Sequence, residues 1–404
     1  MRLGLAIVVV LALNSASALA APLPDRVIAE DHGVLDVATD GSTVAWSRLT
    51  SATQVQLVIH NGRKVVRRIK AGRIGDFPAA PVDIGRAQTG RKLIAYLQCA
   101  GDRNCDIRIV GASGRSSKRL LRVKQRPNDL AVARGRVFWS TSYFDGRRPD
   151  DVRSVLVTGG APRIEARLPK REIEDLAVTP TTIYATASIS KDSGGGSNSD
   201  PDVTSYVMAT RGGSAWSTLT SSRSSFFSEL VLAGRAVAAL VDGGSSIAVL
   251  TGGRRKLRAS GLSIQRWDAT GARAVFADSD LRESCLGTTV PEGSEEGTVT
   301  APCRIVVANN WRGERLLPPQ LNLAGRIATL ARPVLLGGRV VRRIPQANVT
   351  VTVTDGSRAV LATLTTDARG QVELPPAEFA NAHLLTAATK PFATYAQHET
   401  FNSG

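Results

Sequence analysis

Leu35-Asp36-Val37-Ala38-Thr39-Asp40-Gly41, followed by Thr43-Val44-Ala45-Trp46, decides the fold because it comes back. Its echoes are Asp129-Leu130-Ala131-Val132 with Val137-Phe138-Trp139, and Asp175-Leu176-Ala177-Val178 with Ile183-Tyr184-Ala185. The copies recur about every 47 residues until roughly residue 315, a period typical of propellers and arrays. Each repeat holds four short apolar or alternating runs divided by Gly, Asp, Asn, Ser or Pro. In the first they are Val34 to Ala38, Thr43 to Ser47, Gln54 to Ile59 and Lys64 to Ile69. Asn61-Gly62 marks the last turn, since both residues tolerate positive φ. Later repeats begin near Asp129, Asp175, Glu229 and Trp267. A four-stranded meander cannot bury both faces alone, and radial stacking solves this. The expectation is an all-β chain: a β-propeller of about six four-stranded blades, with seven compatible with the length, followed by a small β-sandwich. A β-solenoid would need a much shorter period, and separate sandwiches about 100 residues per unit.

The ends of the chain read differently. Arg2, the apolar run Leu5 to Leu13 and Ala18-Leu19-Ala20 before Ala21 form a secretory signal peptide over residues 1–20. No later apolar run approaches the roughly 20 residues that span a bilayer, and no cysteine at the cleavage point could take a lipid. The mature protein is expected to be secreted or extracytoplasmic. Cysteine usage agrees: Cys99 with Cys105 and Cys285 with Cys303 form two close pairs, read as disulfides of an oxidising compartment. Their spacings match no zinc pattern and the four histidines are scattered, so neither a metal nor a cofactor is expected. The propeller is assigned residues 21–318. After Pro318-Pro319 the period stops, and residues 319–404 carry a different strand pattern.

Two resemblances follow from these residues. Ile94-Ala95-Tyr96, Cys99 and Cys105-Asp106-Ile107, followed by a basic-apolar strand, resemble blades of the TolB-like and WD-repeat-like propellers exported by actinobacteria, over about residues 25 to 318. That likeness implies a component that docks proteins or peptides in the cell envelope. Arg332-Pro333-Val334-Leu335-Leu336, Ala347-Asn348-Val349-Thr350-Val351 and Thr365-Thr366-Asp367-Ala368-Arg369-Gly370 are similar to bacterial Ig-like or carboxypeptidase-regulatory-like modules, which imply a spacer or adhesive role.

The net charge of +16 is the first functional hint. Cations gather in Arg63-Lys64 with Arg67-Arg68, in Lys118-Arg119 with Arg122, and in Arg254-Arg255-Lys256, each on the fourth strand of a repeat. Charge on an outer edge blunts strand-to-strand association. The same belt could steer anionic envelope polymers. Nucleic acid is disfavoured by export and by the lack of exposed aromatics between the basic strands. Three longer connections between second and third strands are candidate binding loops: Tyr143, Phe144, Asp145, Arg147 and Arg148; the stretch with Asp200 and Asp202; and Glu292, Glu295 and Glu296.

No nucleophile elbow, HExxH pair, phosphate loop or dinucleotide fingerprint is present. Asp36, Asp83, Asp129 and Asp175 recur at one position, which suits a structural turn or cap better than a single catalytic pair. The reading is an exported, non-catalytic binding or scaffold protein of the cell envelope, holding an envelope protein or an anionic cell-wall polymer on propeller loops or rim. Two other readings stay open: a propeller carbohydrate hydrolase or lyase, and a TolB-like docking component. No catalytic residue is assigned.

Overall fold

The computed structural model describes residues 24–51, 53–73, 80–101, 103–141, 148–191, 202–242, 244–252, 254–279 and 302–397. They form six four-stranded antiparallel blades. Blade 1 runs through Val34–Thr39, Val44–Leu49, Gln54–His60 and Val65–Arg73. Blade 2 runs through Val82–Arg86, Lys92–Ala100, Arg103–Gly111 and Ser117–Gln125. Blades 3, 4 and 5 repeat the plan with inner strands Leu130–Ala133, Glu172–Val178 and Phe227–Ala233.

Blade 6 is assembled from both ends of the propeller. Ile264–Thr270, Arg273–Asp278 and Cys303–Ala308 supply three strands, and the N-terminal Arg26–Asp31 adds the outermost one. The sequence pattern carried the repeat on to about residue 315 instead. Arg315–Leu316 pairs with Val334 and Leu335 in the sheet beyond the propeller. The N-terminal strand had no local signal, because its partner lies far along the chain.

Blade packing follows the residue choice. The second strands are nearly all apolar and buried: Trp46, Trp139 and Phe276 are among the largest fully or almost fully buried side chains, each in a core shared by neighbouring sheets. Blades 1 and 2 are joined further by a short parallel pairing of Gly72 with Cys99. A Cβ at Gly72 would lie 2.0 Å from the Cys99 carbonyl oxygen, so only glycine fits there. The Cys99–Cys105 disulfide closes the hairpin between the second and third strands of blade 2. Cys303 is buried in blade 6, and Cys285 lies outside the described residues.

Beyond the propeller, one sheet is built around Ile327–Leu336, and a second has Thr350–Thr354 between Val360–Thr365 and Leu384–Ala387. The two close over a core of Leu330, Val351, Val353, Leu374 and Leu385. Among the described residues the one α-helix is the six-residue Pro376–Asn381, and no helix is long and apolar enough to cross a membrane. The sandwich is anchored to blades 5 and 6 by Leu317 and Leu335, which join the cluster around Trp267 and Trp311. A buried ion pair, Arg315 to Asp25, crosses the same junction.

Candidate functional site

Each inner strand places one carboxylate at the propeller axis, and each carboxylate ties its blade to the next. One oxygen of Asp36, Asp83, Asp129 and Asp268 accepts the amide of the following residue at 2.7 Å. The other oxygen reaches across to a neighbouring inner strand: Asp36 to the Val82 amide at 2.6 Å, Asp83 to Val132 at 2.5 Å, and Asp129 to Leu176 at 2.7 Å. Asp175 accepts the Glu229 amide at 2.7 Å, and Asp268 closes the ring on Thr39 at 2.6 Å. Between blades 5 and 6 the Glu229 carboxylate faces the Trp267 amide and pairs with Arg266 at 2.9 Å. The recurring carboxylate, an aspartate in five blades and Glu229 in blade 5, is therefore a clasp between blades, one at every joint.

The clasps surround an axial channel of about 420 Å³. Its walls run from just before the inner strands, at Ala80 and Asn128, to their far ends, at Thr39, Val178 and Gly271. The charges fall into two tiers. Arg266 acts on Glu229, Asp36, Asp175 and Asp129, while Asp83 feels Asp268 most strongly among its charged neighbours. Arg266 is itself fixed by a 2.8 Å bond from Nε to the Leu35 carbonyl.

Burial dominates the proton affinity of every acid in the ring, because the low-dielectric walls disfavour the charged form. It pushes Asp36 up to about 7, Asp83 to about 8 and Asp268 to about 6. Asp129 and Glu229 are raised well above the carboxylate range, and Asp175 is raised. The clasping amides oppose this, since they favour the ionised form. Among the described residues, no three His, Cys, Asp or Glu side chains are arranged to hold a metal ion.

The residues singled out from the sequence fall elsewhere. Arg63, Lys64, Arg67, Arg68, Lys118, Arg119, Arg122, Arg254, Arg255 and Lys256 are all exposed, on or beside the outermost strands of blades 1, 2 and 5. The belts of blades 1 and 2 adjoin; that of blade 5 is separated from them by blade 6. Arg122 is tied to Asp106 at 2.9 Å, and the Arg255 guanidinium lies over the Phe227 ring. Tyr143, Phe144, Asp145, Arg147, Asp200, Glu292, Glu295 and Glu296 lie outside the described residues; Arg148 is exposed, and Asp202 opens the third strand of blade 4. The second and third strands that flank these three connections meet at the face where the inner strands begin. Glu229, Arg266 and Asp268 were not singled out. Arg266 holds the register place of Asp36, and blade 6 carries its clasp two residues further on; Asp83, expected at the same position as Asp36, Asp129 and Asp175, is displaced likewise, opposite Ala95.

No family model matches the sequence, and none of the curated proteins does. Solved structures do match. The α-L-arabinofuranosidase Arb93A from Fusarium graminearum is 9% identical over 71% of this chain and 97% of its own, with a TM-score of 0.43. The β-propeller domain of the Trilobed protease from Pyrococcus furiosus is 10% identical over 78% of this chain and 99% of its own, TM-score 0.40. TolB from Acinetobacter baumannii is 14% identical over 56% of this chain and 54% of its own, TM-score 0.38. At these values the likenesses carry no argument about what this chain does.

Proposed function

We propose that the protein is an exported, non-catalytic binding protein of the cell envelope, with a TolB-like manner of docking and an Ig-like sandwich as spacer or accessory module. The partner, an envelope protein or an anionic wall polymer, is held at the face where the three long connections emerge. The observation that carries this reading is the state of the axial acids. All six occupy a joint between blades, and five accept a backbone amide of the neighbouring strand at 2.5–2.7 Å. Carboxylates fixed in this way are poorly placed to act as a general acid and nucleophile, which must meet the substrate instead.

The test is binding of the purified mature protein to isolated envelope fractions across a salt series. Saturable binding that survives high salt is expected. Binding that collapses as salt screens the basic strands would reduce the interaction to general attraction and overturn the reading. The competing hydrolase reading draws on the raised proton affinity of Asp83 and Glu229. It requires release of reducing ends from envelope glycans, lost in Glu229→Gln; finding that activity would replace the binding reading.

A further inference from the structure

The junction between propeller and sandwich encloses a second cavity of about 840 Å³, twice the volume of the axial channel and inside the range of ligand sites. Its walls are the N-terminal segment Pro24 to Val27, the end of blade 6, the Pro318-Pro319 connector, and two sandwich turns over residues 346–350 and 388–393. Sites at the seam of two folded units are a preferred place for ligands.

Two side chains give this cleft its chemistry. Asp25 is 5% exposed; its Oδ2 accepts two hydrogen bonds from Arg315, while its Oδ1 has no hydrogen-bond partner. A buried carboxylate oxygen left unmatched calls for a donor from outside the fold. Arg332 also lines the cleft and lies near enough for its charge to act on Asp25. Its Nε donates to the Leu317 carbonyl at 3.0 Å, and no hydrogen bond among the described residues engages its Nη groups. One wall therefore presents an acceptor and a planar double donor side by side.

The remaining lining suits the same kind of ligand. Gln346 and Asn348 add planar amides, and Phe392 adds a half-buried ring. A sugar ring matches such a set, since its hydroxyls both donate and accept and its C–H face packs on an aromatic. Charge sharpens the choice. Asp25 is engaged by Arg315, and the Arg304 that lines the cleft is paired with Asp278. The cations left over at the cleft are Arg332 and Lys390, since the Arg26 guanidinium donates to the Gly62 carbonyl of blade 1. We propose that this junction cleft is a binding site for an acidic oligosaccharide of the uronate type, with Arg332 and Lys390 on its carboxylate and Asp25 Oδ1 accepting from a hydroxyl. The site is separate from the axial face and does not depend on what binds there.

The experiment is calorimetric titration of the whole mature protein with trigalacturonate and, as the uncharged control, cellotriose, at two salt concentrations. Saturable trigalacturonate binding is expected, about tenfold tighter than any cellotriose binding, and about tenfold weaker in Arg332→Gln, the loss of one charge-assisted contact. Arg67→Gln/Arg68→Gln, on the blade 1 rim, should leave it unchanged, and thermal unfolding should show Arg332→Gln to be folded. No trigalacturonate binding, equal affinity for both sugars, or equal weakening by the rim variant would each overturn the proposal.

Discussion

The axial channel and the junction cleft are both lined by buried charge, but they differ in how that charge is satisfied. Around the axis one carboxylate recurs in every blade, and its oxygens accept amides of the inner strands. At the junction Asp25 meets Arg315 with one oxygen and nothing with the other. Repetition marks a group that holds the fold together, because every joint needs the same bond. A group that appears once and is incompletely matched is where a partner has something to add.

The largest effect should come from the junction's own ion pair. Arg315→Ala strands the Asp25 charge in a site where both side chains are 1% exposed, and should cost about 3–5 kcal/mol in chemical denaturation. A loss below about 1 kcal/mol would mean that the junction is wet and loosely held. Next comes the ring. Asp129→Ala leaves the amides of Leu130 and Leu176 without acceptors, at about 1–3 kcal/mol each, whereas Ser42→Ala on the surface should shift stability by less than about 0.5 kcal/mol. If the two variants unfold alike, the axial acids are not clasps. Removing the Cys99–Cys105 bridge as Cys99→Ser/Cys105→Ser should cost about 2 kcal/mol, as expected for a short closed loop.

A graded effect should appear with pH. Asp83, Asp36 and Asp268 keep their protons to about pH 8, 7 and 6 in the folded chain, against 3.8 when unfolded. The native state then binds more protons than the unfolded chain between about pH 4 and 8, so stability should fall as pH rises through that window. Unfolding midpoints measured at intervals from pH 5 to 8 check the sign. A midpoint that climbs steadily with pH would show that the clasping amides outweigh desolvation and hold these acids ionised.

Much of the propeller was legible because its signals are local. Trp46 and Trp139 on apolar second strands, Asn61-Gly62 at a turn and the aspartates Asp36, Asp129 and Asp175 on inner strands are such signals, and six blades result, although Asp83, read with those aspartates, pairs with Ala95 and so lies two residues further along its strand. What escaped depends on distant partners. Arg26–Asp31 completes blade 6 only because the ring closes, and Arg315–Leu316 leaves the propeller for a sheet that forms later in the chain. The cleft is harder still to read: Asp25, Arg332 and Phe392 come from three separate segments, and nothing in their local sequence announces that they meet.

The most direct measurement compares envelope binding of the mature protein with that of Glu229→Gln at high salt, alongside a reducing-end assay. Saturable binding by both proteins, with no reducing ends released by either, is the predicted result. Release of reducing ends by the natural chain and its loss in Glu229→Gln would contradict the binding role and make the axial acids catalytic.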